Sequence, residues 1–225
     1  MTSTATGTAT TTARYGVPEI RPAVLTIDLH RGHLDPAVAT MALPATTAAT
    51  VTATNVEFLR AARRSGLPVV HLVTRYRDVR EIDSNPFWRF VADTSATRRN
   101  VRRHNLEGSP GLELMPGILD AEHDVVVDTK KRYDCFVGTD LAFVLDSLGV
   151  NTLLITGVNT NSCVLATTVA ASVRDFACFV IADCVDTVDG DELHDAALTC
   201  LARAFGWVMP WQQALQEVVP APDPA

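Results

Sequence analysis

The chain is short of positive charge. Its 225 residues hold 19 Lys+Arg against 26 Asp+Glu, a formal net charge of −7. General nucleic-acid binding and adhesion to an anionic membrane both need clustered positive charge, so neither partner is expected. No apolar run approaches the roughly 18 residues that a spanning helix needs. The opening MTSTATGTATTTARYG has neither the basic nor the apolar region of a secretory signal. Cysteine is scarce and irregular, with five residues, no C-x-x-C pair and no Cys/His spacing of a zinc site. An odd, unpatterned set excludes a disulfide framework and points to a reducing, cytoplasmic setting.

What is present is core material. With 47% apolar residues, a chain of this length can bury one sizeable core. Short apolar runs alternate with longer stretches of helical spacing, the pattern of a parallel sheet covered on both faces. Strands are expected at Ala23–Leu29, Leu67–Thr74, Asp124–Asp128, Asn151–Gly157 and Cys178–Asp183, with an edge strand at Trp207–Pro210. Helices are expected over 50–66, 139–149, 164–177 and 190–206. The fold class is therefore α/β, a three-layer α/β/α sandwich around a mostly parallel sheet of about six strands. One domain is expected over 19–215, between a disordered tail at 1–18 and a proline-punctuated tail at 216–225. The stretch from Arg75 to about Gly117 breaks the rhythm, and loops this long are usually functional or disordered. Its aromatics Phe87, Trp88 and Phe90 argue for a pocket wall or lid.

In open parallel sheets, ligands gather at the carboxyl ends of the strands. Asp28, Lys130 and Cys163 all fall at such ends. Cys163 also falls in the first turn of an expected helix. There, free N–H groups and a nearby lysine would lower a thiol pKa from about 8.5. Each residue alone has a plainer reading: a cap or ion-pair aspartate, a surface lysine, a small core cysteine. Core packing is expected of Cys178, Cys184 and Cys200, while Cys135 stays open between the two.

Taken together, TIDLHRG, VVVDTKKRYDCFVGTDL and LLITGVNTNSCVLATTVAA resemble the isochorismatase-like cysteine hydrolases over about Ala23 to Val208. The matching positions are Asp28, then Lys130, Tyr133, Phe136, Thr139 and Leu141, then Gly157, Val158, Thr160, Cys163 and Val164. The resemblance implies that Cys163 attacks an amide carbonyl. Asp28 would take the thiol proton and pass it to the leaving amine, and Lys130 would orient the pair. It also implies a cis Val158–Asn159 peptide, with the Asn159 and Cys163 amides facing the oxyanion. The implied activity is hydrolysis of a C–N bond in a small carbamoyl, ureido or primary-amide substrate through a thioester, releasing ammonia or a small amine. The likeness is greatest to the ureidoacrylate, N-carbamoylsarcosine and biuret amidohydrolases. A streptothricin-type cyclic-amide hydrolase and a catalytically silent binding relative are the alternatives.

Nicotinamidases of this family carry a metal-binding D-x-H…H loop after the second strand, which VTRYRDVREID lacks. His30, His33 and Asp35 could ligate a metal, yet His30 reads better as a pocket hydrogen-bonder in the place of a glutamine. No metal and no other cofactor are expected. Trp88, Tyr133 and Phe136 are expected near substrate. Arg75 is expected to hold a substrate oxygen or to pair with Asp78 or Glu81. The cluster Arg98, Arg99, Arg102, Arg103 and His104 reads as an anion-steering patch, a solvated face or a subunit contact. The helix after Cys163 is apolar around most of its circumference, so a symmetric homo-oligomer, dimer or tetramer, is expected.

Overall fold

A computed structural model describes residues 15–17 and 19–219. In chain order the elements are β1 Pro22–Ile27, α1 Arg31–Leu34, α2 Ala45–Arg64, β2 Val69–Thr74, α3 Val79–Asp83, α4 Pro86–Val91, β3 Val125–Lys130, α5 Leu141–Ser147, β4 Thr152–Val158, α6 Leu165–Ser172, β5 Ala177–Asp186, α7 Asp191–Ala204, β6 Trp207–Met209 and α8 Trp211–Val218. The strands form one sheet in the order β3-β2-β1-β4-β5-β6, and every neighbouring pair is parallel. All six expected strands are present, and the sheet is parallel throughout. Among the described residues no helix is long and apolar enough to cross a membrane.

Alternate residues of a strand face opposite ways, and both faces of this sheet are dry. From β1, Val24 joins Phe58 and Leu59 of α2 and Ala214 and Val218 of α8 in one core cluster. Leu25 and Ile27 join Leu141 and Leu145 of α5 and Ala170 and Ala171 of α6 in the other. A strand buried on both sides must be apolar nearly throughout, which is why PAVLTI and TLLITGV read as continuous runs.

The packed chain extends past 19–215 at both ends. Tyr15 is buried against Phe179 and Trp207, ring centroids 4.9 Å from each. The expected C-terminal tail begins inside α8, whose Ala214 and Val218 are buried. The rest of the two expected tails, 1–14, 18 and 220–225, lies outside the described residues.

The chain crosses from β3 to β4 on the far side of β1, so the strand order reverses between β1 and β4. Connections from their carboxyl ends depart in opposite directions and leave a crevice there. Gly157 lets the two strands close on each other: at φ +111°, a Cβ on it would stand 2.0 Å from the Ile27 carbonyl oxygen. The irregular segment after Arg75 roofs that crevice. In it α3 is capped by the Asp78 carboxylate, and α4 by Asn85 with Pro86 in its first turn. Tyr76, Ile82, Trp88 and Val101 pack into a small core of their own. The segment is a built wall.

Of α6, which packs against β5 and α7, Thr167, Thr168, Ala170 and Ala171 are buried, while Leu165, Ala166, Val169 and Ser172 are half-buried.

Candidate active site

Asp28 follows β1 directly with φ +55°, a backbone setting uncommon outside glycine, asparagine and aspartate. Its Oδ1 accepts from the Thr74 amide (3.0 Å) and hydroxyl (2.8 Å) at the end of β2. Lys130 ends β3, and its Nζ donates to Asp28 Oδ2 (2.6 Å), Thr74 Oγ1 (2.6 Å) and Cys163 Sγ (3.3 Å). Three strand ends thus bring carboxylate, ammonium and thiol together with all three side chains buried. The chain beyond β4 is wound as a π-helical turn over Thr160–Val164, closed by Val164 N–H to Asn159 C=O at 3.1 Å, before α6 begins. Such turns are concentrated at functional sites. Here the turn, and not the first α-helical turn, carries Cys163. The Val158–Asn159 peptide bond is cis.

Burial and pairing set the protonation states. Burial pushes the Asp28 carboxyl up, but the Lys130 ammonium and His30 beside it hold it well below its ordinary range. Burial works to neutralise Lys130, and the Asp28 carboxylate keeps it protonated well above its ordinary range. The Cys163 thiol is pushed up to about 12 by burial, with Lys130 opposing. This corrects the expectation of a lowered thiol pKa: desolvation outweighs the favourable charge. The resting site is therefore carboxylate, ammonium and neutral thiol.

These groups open onto a cavity of about 30 Å³. Asn159, Trp88 and Tyr133 line it as expected, together with Tyr76, Val101, Met41 and Val188. The Trp88 indole N–H donates to Tyr133 Oη at 3.1 Å. Arg98 also reaches the cavity, its Nε donating to Tyr133 Oη (2.9 Å) and its guanidinium paired with Asp189 (2.8 Å). The pairing neutralises it. Arg132, which sequence reasoning passed over, lies over the Trp88 ring at 5.0 Å. Its guanidinium donates to the carbonyls of Lys131 (2.7 Å) and Glu81 (3.2 Å) and to Ser84 Oγ (2.8 Å). Among the described residues no carboxylate pairs with it.

Other expected residues lie elsewhere. Arg75 is outside the cavity, paired with Asp128 (3.2 Å) and Glu107 (3.5 Å) rather than Asp78 or Glu81. Phe136 packs in the core beneath Arg174, and Val158 is core on the other face. Arg102 pairs with Asp83 and Asp93, while Arg99 and Arg103 are exposed. Cys135, Cys178 and Cys184 are buried; Cys200 is exposed, contrary to expectation.

His30 is buried beneath the cavity, Nε2 3.4 Å from Asp28 Oδ1 and 2.9 Å from Asn105 Nδ2. His33 and His104 line the cavity beside it. Burial, with His30 adding to it, pushes the His33 imidazole down to about 3. Burial and His33 likewise hold His104 well below its ordinary value. Asp35 does not join them, because its carboxylate is held by Arg31 at 2.8 Å. His104 was legible only as part of a basic run.

A family model described as the Isochorismatase domain matches residues 22–213. Maleamate amidohydrolase of Pseudomonas putida is 29% identical over 198 residues, covering 88% of this chain and 87% of that protein. Ureidoacrylate amidohydrolase of Methylobacterium radiotolerans is 31% identical over 155 residues, 66% of this chain and 59% of that protein. The crystal structure of a cysteine hydrolase from Pseudomonas syringae pv. phaseolicola has the same fold, with a TM-score of 0.73 at 22% identity over 88% of this chain and 92% of that one.

Proposed function

The chain belongs to the isochorismatase family, and from that premise we propose that it is a cysteine-dependent amidohydrolase acting on a small amide that carries an acidic group. The observation that carries the reading is the buried contact of Lys130 Nζ with both Asp28 Oδ2, at 2.6 Å, and Cys163 Sγ, at 3.3 Å.

The neutral thiol needs a base, and the ionised Asp28 is beside it. As Cys163 Sγ attacks the carbonyl carbon, its proton passes to Asp28. The Asn159 and Cys163 amides face the developing oxyanion. When the C–N bond breaks, the proton moves from Asp28 to the departing nitrogen, leaving a thioester on Cys163. Water then attacks the thioester, giving a proton to Asp28, and collapse returns that proton to the sulfur. The sum is amide plus water to acid plus ammonia or amine. Lys130 stays charged throughout and keeps the base ionised until it is used.

The acidic group follows from the charges. Asp28 offsets Lys130 and Asp189 offsets Arg98, so Arg132 is left as the cavity's uncompensated cation. A guanidinium stacked on an indole with N–H groups to spare is a fork for a carboxylate. The two curated relatives are named for maleamate and ureidoacrylate, which both join an amide-type C–N bond to a carboxylate.

The test is ammonia release from maleamate, ureidoacrylate, N-carbamoyl amino acids and neutral primary amides, with Cys163→Ala as control. The expected result is turnover confined to acid-bearing amides and abolished in the variant. Turnover that survives in Cys163→Ala would overturn the nucleophile, and preference for neutral amides would overturn the substrate class.

A further inference from the structure

We propose that His30, His33 and His104 form a binding site for one divalent transition-metal ion, zinc or an ion of similar preference, in the wall of the catalytic cavity. Each of the three offers a ring nitrogen, and these nitrogens lie within 4.8 Å of one another, all on buried side chains. Three imidazoles around one ion, with Zn–N of about 2.1 Å and roughly tetrahedral angles, hold their ring centroids about 5 Å apart. The observed separations are 5.1 Å for His30–His33, 5.5 Å for His30–His104 and 4.6 Å for His33–His104.

The outer hydrogen bonds suit the same arrangement. A metal-bound imidazole characteristically donates its other N–H to an oxygen, which fixes the lone pair on the ligating atom. His33 Nδ1 is 2.9 Å from the Met41 carbonyl, and His104 Nδ1 is 2.9 Å from Thr40 Oγ1. Both contacts leave Nε2 as the free donor atom. His30 contributes a second kind of signal, since its Nδ1 is buried with no hydrogen-bond partner. Such an orphaned nitrogen is costly unless something satisfies it. Among the described residues neither His33 nor His104 meets a carboxylate, so the trio is not an ion-pair network. Three nitrogens with no thiolate, and a fourth position opening on the cavity, fit a zinc site that keeps one place free. Two ligands come from the chain after β1, and the third, His104, comes from the connection between β2 and β3, beyond VTRYRDVREID.

The site is read by binding and not by turnover, so its failure and that of the hydrolase reading are separable. Tag-free full-length protein, stripped with a chelator, is titrated with Zn²⁺ by equilibrium dialysis and with Co²⁺ by visible absorption. The expected result is one ion per chain and the intense visible bands of a tetrahedral cobalt site. His33→Gln and His104→Gln should each weaken binding at least about tenfold, while Cys163→Ala binds as wild type. Absence of saturable binding overturns the site. So does binding unchanged in both histidine variants, or binding lost with Cys163. If either variant unfolds by circular dichroism, the imidazole ¹⁵N resonances of the wild type decide. Those of His33 and His104 must move on Zn²⁺ addition, and unmoved signals overturn the assignment.

Discussion

At the scale of single residues, the proposed chemistry rests on one proton moving between Cys163, Asp28 and the substrate nitrogen. Groups that act on the same proton are strongly non-additive. Asp28→Asn and Cys163→Ala should each lower kcat/KM by roughly 10³-fold or more, and the double variant should be little worse than either. Steady-state kinetics on the three proteins check this; a double variant weaker by the product of the two losses would mean independent roles. Arg132→Gln should raise KM for an acid-bearing amide about 10- to 100-fold while leaving kcat nearly unchanged, the mark of a binding contact. Arg132→Lys should not restore it, because an ammonium offers no planar fork. The three residues of the proposed triad could be placed together from the sequence because each lies at or just beyond the carboxyl end of a strand, and strand ends can be read from apolar runs. Thr74 and Arg132 were not, since threonine at a strand end and arginine beside lysines are ordinary in sequence. His104 lies 71 positions beyond His33, and only the folded wall joins them.

At the scale of elements, the crevice depends on how closely β1 and β4 approach. Gly157→Ala forces a methyl against the Ile27 carbonyl and strains φ at a value that side-chain-bearing residues avoid. The variant should lose about 3–5 kcal/mol in urea unfolding, and its activity should fall as Asp28 and Asn159 shift apart. Wild-type stability would show that the strands can part at no cost. The first five strands and the large helices were readable from period and length. Helix α8 was missed although Trp211, Ala214, Leu215 and Val218 follow helical spacing, because VPAPDPA suggested a tail. Pro210 stands at the helix's N-terminus. The π-helical turn had no sequence signal, since its composition is that of any strand-to-helix junction.

Across the whole molecule, the Asp124 network and the candidate active site use separate ends of the sheet. Asp124, just ahead of β3, receives Arg63 Nε of α2 (3.1 Å) and the Asp120 amide (2.8 Å), and its Oδ2 meets His71 Nε2 of β2 at 2.9 Å. The His71 ring continues to Thr26 of β1 through a 2.7 Å contact. Burial pushes the Asp124 carboxyl up, but His71 and Arg63 outweigh it and hold the carboxyl well below its ordinary range. A depressed folded-state pKa stabilises above the unfolded value, about 3.9, and that contribution is lost as pH falls. Asp124→Asn should therefore cost about 2 kcal/mol at neutral pH. The gap to wild type should shrink in unfolding curves below about pH 4; a gap independent of pH would exclude the linkage. The ion pair between Arg98 and Asp189 stands at the other end, beside a cavity of about 30 Å³, room for one or two waters. On the proposed reading a substrate amide needs more room than that, so the walls must part to admit it. If they close again over the thioester, alcohols, amines and thiols from solution would be too large to follow, and water would not. Enclosure, rather than any special affinity for water, would then make such an acyl-enzyme a hydrolase and not a transferase.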